Sequence, residues 1–248
     1  MTQKNITLVK SSWALVAQLG MEFLLSQSTK MKKTTHLLTL LSAIVLLVSS
    51  CTKEPLRGHG DIITETRSLS SFKKLSLSES MEIEVIKSIE RKVEITGYAN
   101  LVAALETKNS NQRLMLDYGN RIWVRNDNVK LKIFTPDIEA IEISGSSNVI
   151  LRTGFSGRLD VNISGSGSLY TDSTNFDHLN LNISGSGNIN TELATTKNAE
   201  TNIGGSGKIK VRVSEFLKVR ISGTGEVKYW GNPQTDVNIS GNGKVFRQ

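Results

Sequence analysis

The chain has 248 residues, enough for one large or two small domains, with 38% hydrophobic residues, 20 Gly and only 3 Pro. Its lone Cys excludes an internal disulfide and a zinc site built from several cysteines. The formal net charge is +7, but residues 1–50 hold five Lys and one Glu; the remaining 25 basic and 22 acidic residues leave only +3, which does not favour nucleic-acid binding.

Residues 31–50 have the pattern of a lipoprotein signal peptide. A basic start, Met31-Lys-Lys, precedes an apolar run over residues 37–48, and Val48-Ser-Ser-Cys51 resembles the lipobox of bacterial lipoproteins. The run is shorter than the roughly 20 residues that span a bilayer, so a cleaved signal fits better than a transmembrane helix. We therefore predict that Cys51 is the first mature residue and carries a lipid that attaches the protein to a membrane. The alternative is a buried free Cys in an unusual membrane anchor.

The segments on either side of this signal are predicted to lie outside the fold. Residues 1–30 precede a second start-like Met31, and we interpret them as an over-extended gene start. Residues 51–60 are predicted to be a tether. Lys53-Glu54 resembles the export signal of Bacteroidetes surface lipoproteins, although those signals usually have two acids. We expect an outer-membrane lipoprotein of the cell envelope, and the sequence leaves open whether it faces the cell surface or the periplasm.

Residues 61–134 alternate between apolar and polar side chains, which predicts strands with one buried face. The segment from Tyr98 to Lys108 interrupts this pattern and predicts a short helix or a bulging loop. Turns are predicted at Gly97, at Gly119-Asn120 and at Pro136-Asp137. The apolar positions of the predicted strands are Leu75, Leu77, Ile83, Val85, Val93, Ile95, Leu114, Leu116, Ile122, Val124, Val129, Leu131 and Ile133.

Six copies of one short pattern fill the rest of the chain. Their starts are separated by 20, 20, 20, 18 and 18 residues, a period typical of a solenoid in which each coil buries its apolar face on its neighbours. The copies are Ile143-Ser-Gly-Ser-Ser-Asn-Val149, Ile163-Ser-Gly-Ser-Gly-Ser-Leu169, Ile183-Ser-Gly-Ser-Gly-Asn-Ile189, Ile203-Gly-Gly-Ser-Gly-Lys-Ile209, Ile221-Ser-Gly-Thr-Gly-Glu-Val227 and Ile239-Ser-Gly-Asn-Gly-Lys-Val245.

Matching side chains of successive coils should stack about 4.8 Å apart through parallel ladders. We expect Val161 and Ile163 to lie beneath the equivalent residues of each later coil. Glycine fits the corners because it permits a positive φ and has no Cβ. Asn162, Asn182, Asn202 and Asn238 recur just before the repeated Ile, with Arg220 interrupting the series. They form either a hydrogen-bonded ladder or a solvated outer row, and the sequence does not decide between the two.

The chain resembles the head GIN domain family, labelled putative auto-transporter adhesin and common in Bacteroidetes lipoproteins. The opening that begins Gly58-His-Gly-Asp-Ile, the segment Met81-Glu-Ile-Glu-Val85 and the repeats carry the resemblance, over roughly residues 58–248. It implies an all-β fold, a right-handed single-stranded parallel β-helix, for residues 61–248. One departure is that Ser78-Glu-Ser-Met81 stands where members usually have Ser-Gly-Ser-Gly, so this first corner is expected to be wider or differently turned.

The repeats lack the features of several familiar binding and catalytic sites. A phosphate loop needs a following helix and usually a Lys, whereas a strand follows each Ser-Gly run. Calcium-binding repeats need an Asp that these lack, so we predict no metal and no cofactor. An enzyme acting on polysaccharides would need converging carboxylates. The carboxylates of adjacent coils fall at different phases of the repeat; they are Asp160, Asp172, Asp177 and Glu192. No Ser-His-acid trio can be assembled around His178 from the sequence pattern.

A basic stripe is the best binding candidate. Lys208, Lys210 and Arg212 alternate with aliphatic residues and share one strand face. Lys218, Arg220 and Lys228 are predicted to extend the stripe, which could hold anionic glycans or lipopolysaccharide phosphates. The alternative is a solvated face, since alternating Lys keeps exposed strands from pairing. Tyr229-Trp230, at the end of this region, is predicted to cap the last coils.

We therefore predict a non-catalytic lipoprotein, an adhesin or binding module that presents a β-helix face to a glycan or protein ligand. Two alternatives stay open: an enzyme acting on polysaccharides, and a purely structural envelope protein. The sequence leaves the ligand and the oligomeric state open.

Overall fold

The computed structural model describes residues 55–119, 124–125 and 127–248, and residues 55–248 form one compact unit. About 61% of the chain is strand, arranged as a β-solenoid of about five turns. This confirms the predicted fold class, a right-handed single-stranded parallel β-helix. The predicted gene-start extension, the signal peptide and Cys51 lie outside the described residues. Part of the predicted tether belongs to the folded unit, because Leu56–Arg57 pairs as a strand with Val124–Arg125.

The described residues form a long series of strands with a short helix near its start. In chain order the elements are β1 (Leu56–Arg57), β2 (Ile62–Ser68), β3 (Lys74–Leu77), β4 (Glu82–Lys87), β5 (Lys92–Tyr98), α1 (Ala99–Ala104), β6 (Glu106–Ser110), β7 (Arg113–Asp117), β8 (Val124–Arg125), β9 (Lys130–Thr135), β10 (Ala140–Ile143), β11 (Asn148–Leu151), β12 (Arg158–Ile163), β13 (Ser168–Thr171), β14 (Asn175–Ile183), β15 (Asn188–Ile203), β16 (Lys208–Ile221), β17 (Glu226–Trp230), β18 (Gln234–Ile239) and β19 (Lys244–Arg247).

Each coil contributes to two stacks of strands, which we call column A and column B. Column A follows the Ser-Gly corner of each coil and contains β9, β4, β11, β13, the first parts of β15 and β16, β17 and β19. Column B precedes the corner and contains β7, β3, β10, β12, the last parts of β14, β15 and β16, and β18. Alternate side chains of both columns point into one shared core.

The predicted stacking of the repeats is confirmed. Ile163 pairs with Ile183 and Ile183 with Ile203, and the series continues through Ile221 to Ile239. The members up to Ile221 are at most 2% exposed. Burying an aliphatic side chain of this size contributes about 1.5–3 kcal/mol, so the repeated Ile is a main source of stability.

The corner glycines are required by close approach of successive coils. A Cβ on Gly165 would lie 2.1 Å from the carbonyl oxygen of Gly145, and one on Gly185 would lie 2.2 Å from that of Gly165. Among the described residues, the glycines with positive φ, such as Gly154 and Gly231, lie outside these corners. The absent Cβ, and not a left-handed backbone, is therefore why the repeat needs glycine there.

The first corner stacks like the others despite its different sequence. The carbonyl oxygens of Ser78 and Glu79 lie beneath Gly145, at 2.5 and 2.4 Å from the position of a Cβ there. Ser147 is fully buried; its hydroxyl donates to the Glu79 carbonyl (2.6 Å) and accepts from the Met81 N–H (3.1 Å). The hydroxyl of Ser147 thus joins the first corner to the second.

The asparagine row is both hydrogen-bonded and outward-facing. Asn202 Nδ2 donates to Asn182 Oδ1 (2.8 Å), and Asn182 Nδ2 donates to Asn162 Oδ1 (3.0 Å). Arg220 follows in the same register and ends the ladder, as its position in the sequence predicts. The hydrogen-bonded ladder and the solvated outer row, between which the sequence did not decide, are therefore the same feature on the outside of column B.

The N-terminal end of the solenoid is closed by antiparallel strands and a helix. β2 and β5 pair antiparallel, and α1 confirms the short helix predicted within residues 98–108. Leu101 and Val102 of α1 are fully buried. The Arg67 guanidinium donates to the carbonyls of Val102 (2.8 Å) and Leu105 (2.6 Å), which satisfies the C-terminus of the helix.

The prediction of a turn at Gly97 is wrong. Gly97 lies inside β5, buried against the segment that leads into β9. A Cβ there would stand 2.8 Å from Val129 Cγ2, so the glycine serves a close contact between segments.

The last coil is more exposed than the others. Val237 and Ile239 occupy inward positions of column B, yet they are 44% and 40% exposed. The predicted capping role of Tyr229-Trp230 is corrected, because β19 stacks on β17 with Tyr229 opposite Arg247. The coil that ends the described solenoid is therefore β18–β19.

Candidate functional site

The six basic residues of the predicted stripe fall into two groups. Lys208, Lys210 and Arg212 alternate along the first part of β16, in column A, with Lys228 opposite Lys210. Lys218 and Arg220 lie in the last part of the same strand, in column B, where they pair with column B residues of β18. Because both columns point their aliphatic residues into one core, their outward side chains face different sides of the solenoid.

The column A group is only partly neutralised. Lys210 Nζ lies 3.2 Å from Glu192 Oε2, and Lys228 Nζ lies 3.2 Å from Glu226 Oε1. Among the described residues, Lys208 has no ion pair. Four cations in this group thus face two carboxylates. Hydrogen bonds from Asn190 and Lys210 lower the pKa of Glu192.

Arg212 links the basic group to an aromatic side chain. Its Nε donates to the Glu192 carbonyl (3.1 Å), and its guanidinium carbon lies 5.8 Å from the centroid of the Trp230 ring. A guanidinium over an indole face is attracted by the ring quadrupole. Trp230 therefore holds the Arg212 side chain in place instead of covering the end of the solenoid.

The column B pair is held by acidic neighbours. Lys218 Nζ lies 2.8 Å from Glu200 Oε1, and Arg220 makes two hydrogen bonds to the carboxylate of Asp236, at 2.8 and 3.2 Å. The bidentate pairing raises the pKa of Arg220 and lowers that of Asp236. These two cations have less charge to offer a ligand than the column A group.

The carboxylates considered for polysaccharide chemistry each lie beside a cation. The pairs are Asp160 with Arg158 (2.9 Å), Asp172 with Arg152 (3.3 Å), Asp177 with Lys197 (2.7 Å) and Glu192 with Lys210 (3.2 Å). The pKa of Asp177 is lowered by its hydrogen bond from Lys197. A general acid needs the opposite shift, so the pairing of Asp177 with Lys197 favours a role in surface electrostatics.

A row of outward side chains in column A includes part of the basic group and an exposed tyrosine that the sequence analysis did not single out. Tyr170 is 44% exposed and lies between Ile150 and Asn190. We call this series the Tyr170 row. Its members, in spatial order, are Lys132, Glu84, Ile150, Tyr170, Asn190, Lys210, Lys228 and Phe246. Alternation along β13 places Tyr170 outward, but only the register shows which residues flank it.

A second group that sequence reasoning missed surrounds the first corner. Tyr118 is 1% exposed and its hydroxyl donates to Asp127 Oδ2 (3.0 Å). Burial raises the pKa of Asp127, and burial with the charges of Asp117 and Asp127 raises that of Glu79. The signal in the sequence was the departure of this corner from Ser-Gly-Ser-Gly, which places Glu79 where a glycine is usual.

Two further observations bear on the kind of site. Within the described residues, no group of three or more His, Cys, Asp or Glu side chains has the geometry to hold a metal ion. In that same part of the chain, no helix has the length and apolar character that crossing a bilayer requires. Neither observation assigns a function.

Comparisons with known proteins agree with this architecture. Residues 71–233 match the sequence model of the family described as putative auto-transporter adhesin, head GIN domain. A putative adhesin from Bacteroides fragilis is 21% identical with a TM-score of 0.63, and the match covers 78% of this chain and all of that one. A putative adhesin from Parabacteroides merdae is 19% identical with a TM-score of 0.56, covering 79% of this chain and all of that one.

A third solved structure has a different description. A putative lipid binding protein from Parabacteroides distasonis is 21% identical with a TM-score of 0.55, and the match covers 79% of this chain and all of that one. No curated protein matches the chain. At such identities the solved structures establish a shared fold.

Proposed function

The chain belongs to the family described as putative auto-transporter adhesin, head GIN domain, and from this premise we propose that it is a non-catalytic adhesion module of the cell envelope. Its ligand-binding surface is the outward face of column A. The ligand class is an anionic glycan, bound through Lys208, Lys210, Arg212 and Lys228. The observation that supports this most is the excess of cations over carboxylates on that face, with Lys208 exposed and, among the described residues, without an ion pair.

A flat, repetitive strand face suits an extended polymer. Successive residues of the Tyr170 row are about 4.8 Å apart, so a chain lying along the solenoid axis would meet side chains at a regular interval. Surface ion pairs such as Lys210–Glu192 contribute at most about 1 kcal/mol each, so a polyanion can displace the carboxylates at low cost. The affinity should fall as salt screens these charges.

Binding of a galacturonic acid hexamer, measured by titration calorimetry at low salt, tests this proposal. The triple variant Lys208→Gln, Lys210→Gln and Lys228→Gln should bind about tenfold more weakly, as expected for losing three exposed charges. The matched control is Lys218→Gln with Arg220→Gln, on column B, which should bind like the parent. A parent protein that binds neither this hexamer nor other polyanionic glycans would end the proposal.

The same ligand tests the proposed absence of catalysis. We propose that column A binds without cleaving. Hydrogen bonds from Asn190 and Lys210 lower the pKa of Glu192, which does not suit that carboxyl to act as a general acid. Prolonged incubation with the hexamer should release no shorter products. Cleavage that persists in repurified protein would favour an enzyme acting on polysaccharides.

We also propose attachment to the outer membrane through a lipid on Cys51, at the cell surface. The lipobox-like Val48-Ser-Ser-Cys51 and the apolar run before it support this proposal. Radiolabelled palmitate should enter the parent protein and not the Cys51→Ser variant, and that variant should leave the membrane fraction. Protease treatment of intact cells should remove the anchored protein; protection would place it on the inner face of the membrane.

A further inference from the structure

Tyr170 is an exposed aromatic side chain in the middle of the proposed binding face. It points outward from β13, and its ring is flanked in register by the aliphatic Ile150 and by the amide of Asn190. Tyr170 is 44% exposed, so it contributes little to the core. Among the described residues no side chain hydrogen-bonds to its hydroxyl. The ring therefore has a free face and a free polar edge.

A depression adjoins this ring on the side of the N-terminal coils. Its volume is ≈ 420 Å³, and Tyr170 and Ile150 supply its apolar surface. The polar groups around that surface come from two carboxylates, two lysines and an amide: Glu82, Glu84, Lys130, Lys132 and Asn148. Sites for small ligands combine an apolar platform with a few polar groups that fix orientation, and this depression has that composition.

Cations lie on both sides of the ring within the Tyr170 row. Lys132 is three strands away, about 14 Å at the usual strand spacing, and Lys210 is two strands away on the other side, about 10 Å. Lys132 is exposed and, within the described residues, forms no ion pair. An acidic polymer lying along the row could therefore place acid groups near a Lys at each end and an uncharged ring surface over Tyr170.

We infer that Tyr170 is a stacking site for one sugar ring of an anionic glycan, with Ile150 beside it and Asn148 hydrogen-bonding to a hydroxyl. This inference rests on the proposed glycan-binding function and assigns the position of the ring within it. The C–H face of a sugar packs on an aromatic ring, while the ring edge and the neighbouring Asn148 amide remain available for hydroxyl groups. The basic residues supply the charge attraction, and Tyr170 discriminates a sugar from a simple polyanion.

Two anionic probes, one with sugar rings and one without, separate charge attraction from stacking on Tyr170. The galacturonic acid hexamer offers both rings and carboxylates, whereas a polyglutamate peptide offers carboxylates without sugar rings. Tyr170→Ala should bind the hexamer about tenfold more weakly and polyglutamate as the parent does. Tyr170→Phe keeps the ring and should stay within about twofold of the parent. Ile89→Ala removes an apolar side chain that is 93% exposed elsewhere, and it should change neither affinity.

The outcomes distinguish this inference from the proposed function. If the parent binds the hexamer and Tyr170→Ala binds it equally well, Tyr170 is not a stacking site, and the proposal that the basic face of column A binds the glycan is retained. If Tyr170→Ala weakens both probes alike, the ring supports the surface and does not recognise a sugar, which also overturns the inference. If the parent binds no anionic glycan, both fail. Unchanged melting temperatures of the variants would show that losses come from the surface, since Tyr170 lies outside the core.

Discussion

Gly205 lies directly over Gly185, so close that a Cβ on Gly205 would stand 2.2 Å from the Gly185 carbonyl oxygen. The neighbouring Gly204 meets no such barrier, because the nearest atom to its Cβ position is 3.8 Å away. Two neighbouring glycines of one corner thus have different physical roles, and substituting each of them in turn measures how closely the coils stack.

Gly205→Ala should destabilise the protein by about 3 kcal/mol, because the backbone of two coils must separate to admit the methyl group. Gly204→Ala should be neutral or stabilise by about 0.5 kcal/mol, since it restricts only the unfolded chain. Urea denaturation of both variants measures the difference. Equal effects of the two substitutions would mean that the corners do not stack as closely as described.

The stacked Ile series gives a second matched pair. Ile203 is 2% exposed between two coils, whereas Ile239 is 40% exposed in the last coil. Ile203→Ala should cost about 2–5 kcal/mol through lost burial and a cavity. Ile239→Ala should cost about half as much or less, because its side chain is already partly in water. Denaturant unfolding tests this order, and a reversed order would contradict the stacking.

The asparagine ladder predicts a smaller effect on the outer surface. Asn182→Ala removes the bond to Asn162 (3.0 Å), the bond to Asn180 (3.2 Å) and the bond accepted from Asn202 (2.8 Å). We expect a loss of about 1–2 kcal/mol. The control is Asn238→Ala in the exposed last coil, which should cost less than about 0.5 kcal/mol. Indistinguishable unfolding midpoints for these two variants would show that the ladder adds nothing to stability.

The carboxylates at the first corner predict a pH dependence. Burial and the charges of Asp117 and Asp127 raise the pKa of Glu79 in the folded state. A carboxyl that holds its proton more tightly when folded stabilises the protein at low pH, and this contribution is lost as the pH rises above about 4.3, the ordinary value for Glu. Glu79→Gln cannot ionise, so it should raise the melting temperature near pH 7 more than near pH 4.

The control for this pH effect is Glu215→Gln, an exposed glutamate on β16. Its melting temperature should follow the parent at both pH values. If Glu79→Gln shifts the melting temperature equally at both, then ionisation of Glu79 is not the cause of its effect.

The sequence predicted the solenoid because its repeats encode one physical demand in every coil. In each coil an Ile must stack on an Ile and a glycine must lie over a carbonyl of the preceding coil, so the period was visible without tertiary information. The N-terminal end was harder to predict. Gly97 looked like a turn, but it lies in a strand because a distant segment at Val129 packs against it. Such contacts between distant segments produce no periodic pattern in the sequence.

The candidate site was predictable only in part, for a similar reason. Lys208, Lys210 and Arg212 share a face because a strand alternates, and this expectation agrees with their placement. Lys218 and Arg220 follow on the same strand, yet they belong to the other column because the first part of β16 pairs with β17 and its last part pairs with β18. The sequence of a continuous strand does not show where its pairing changes from one column to the other. The proposed role of Tyr170 depends on Ile150 and Asn190, which lie 20 residues before and after it in the sequence.

Backbone NMR of the purified protein during titration with the galacturonic acid hexamer tests most directly whether the outward face of column A binds an anionic glycan. Amide shifts should change along residues 168–172, 188–190, 208–212 and 226–228, while residues 160–162, 180–182 and 200–202 of column B stay unchanged. Shifts concentrated on column B, or no shifts at saturating hexamer, would contradict the account.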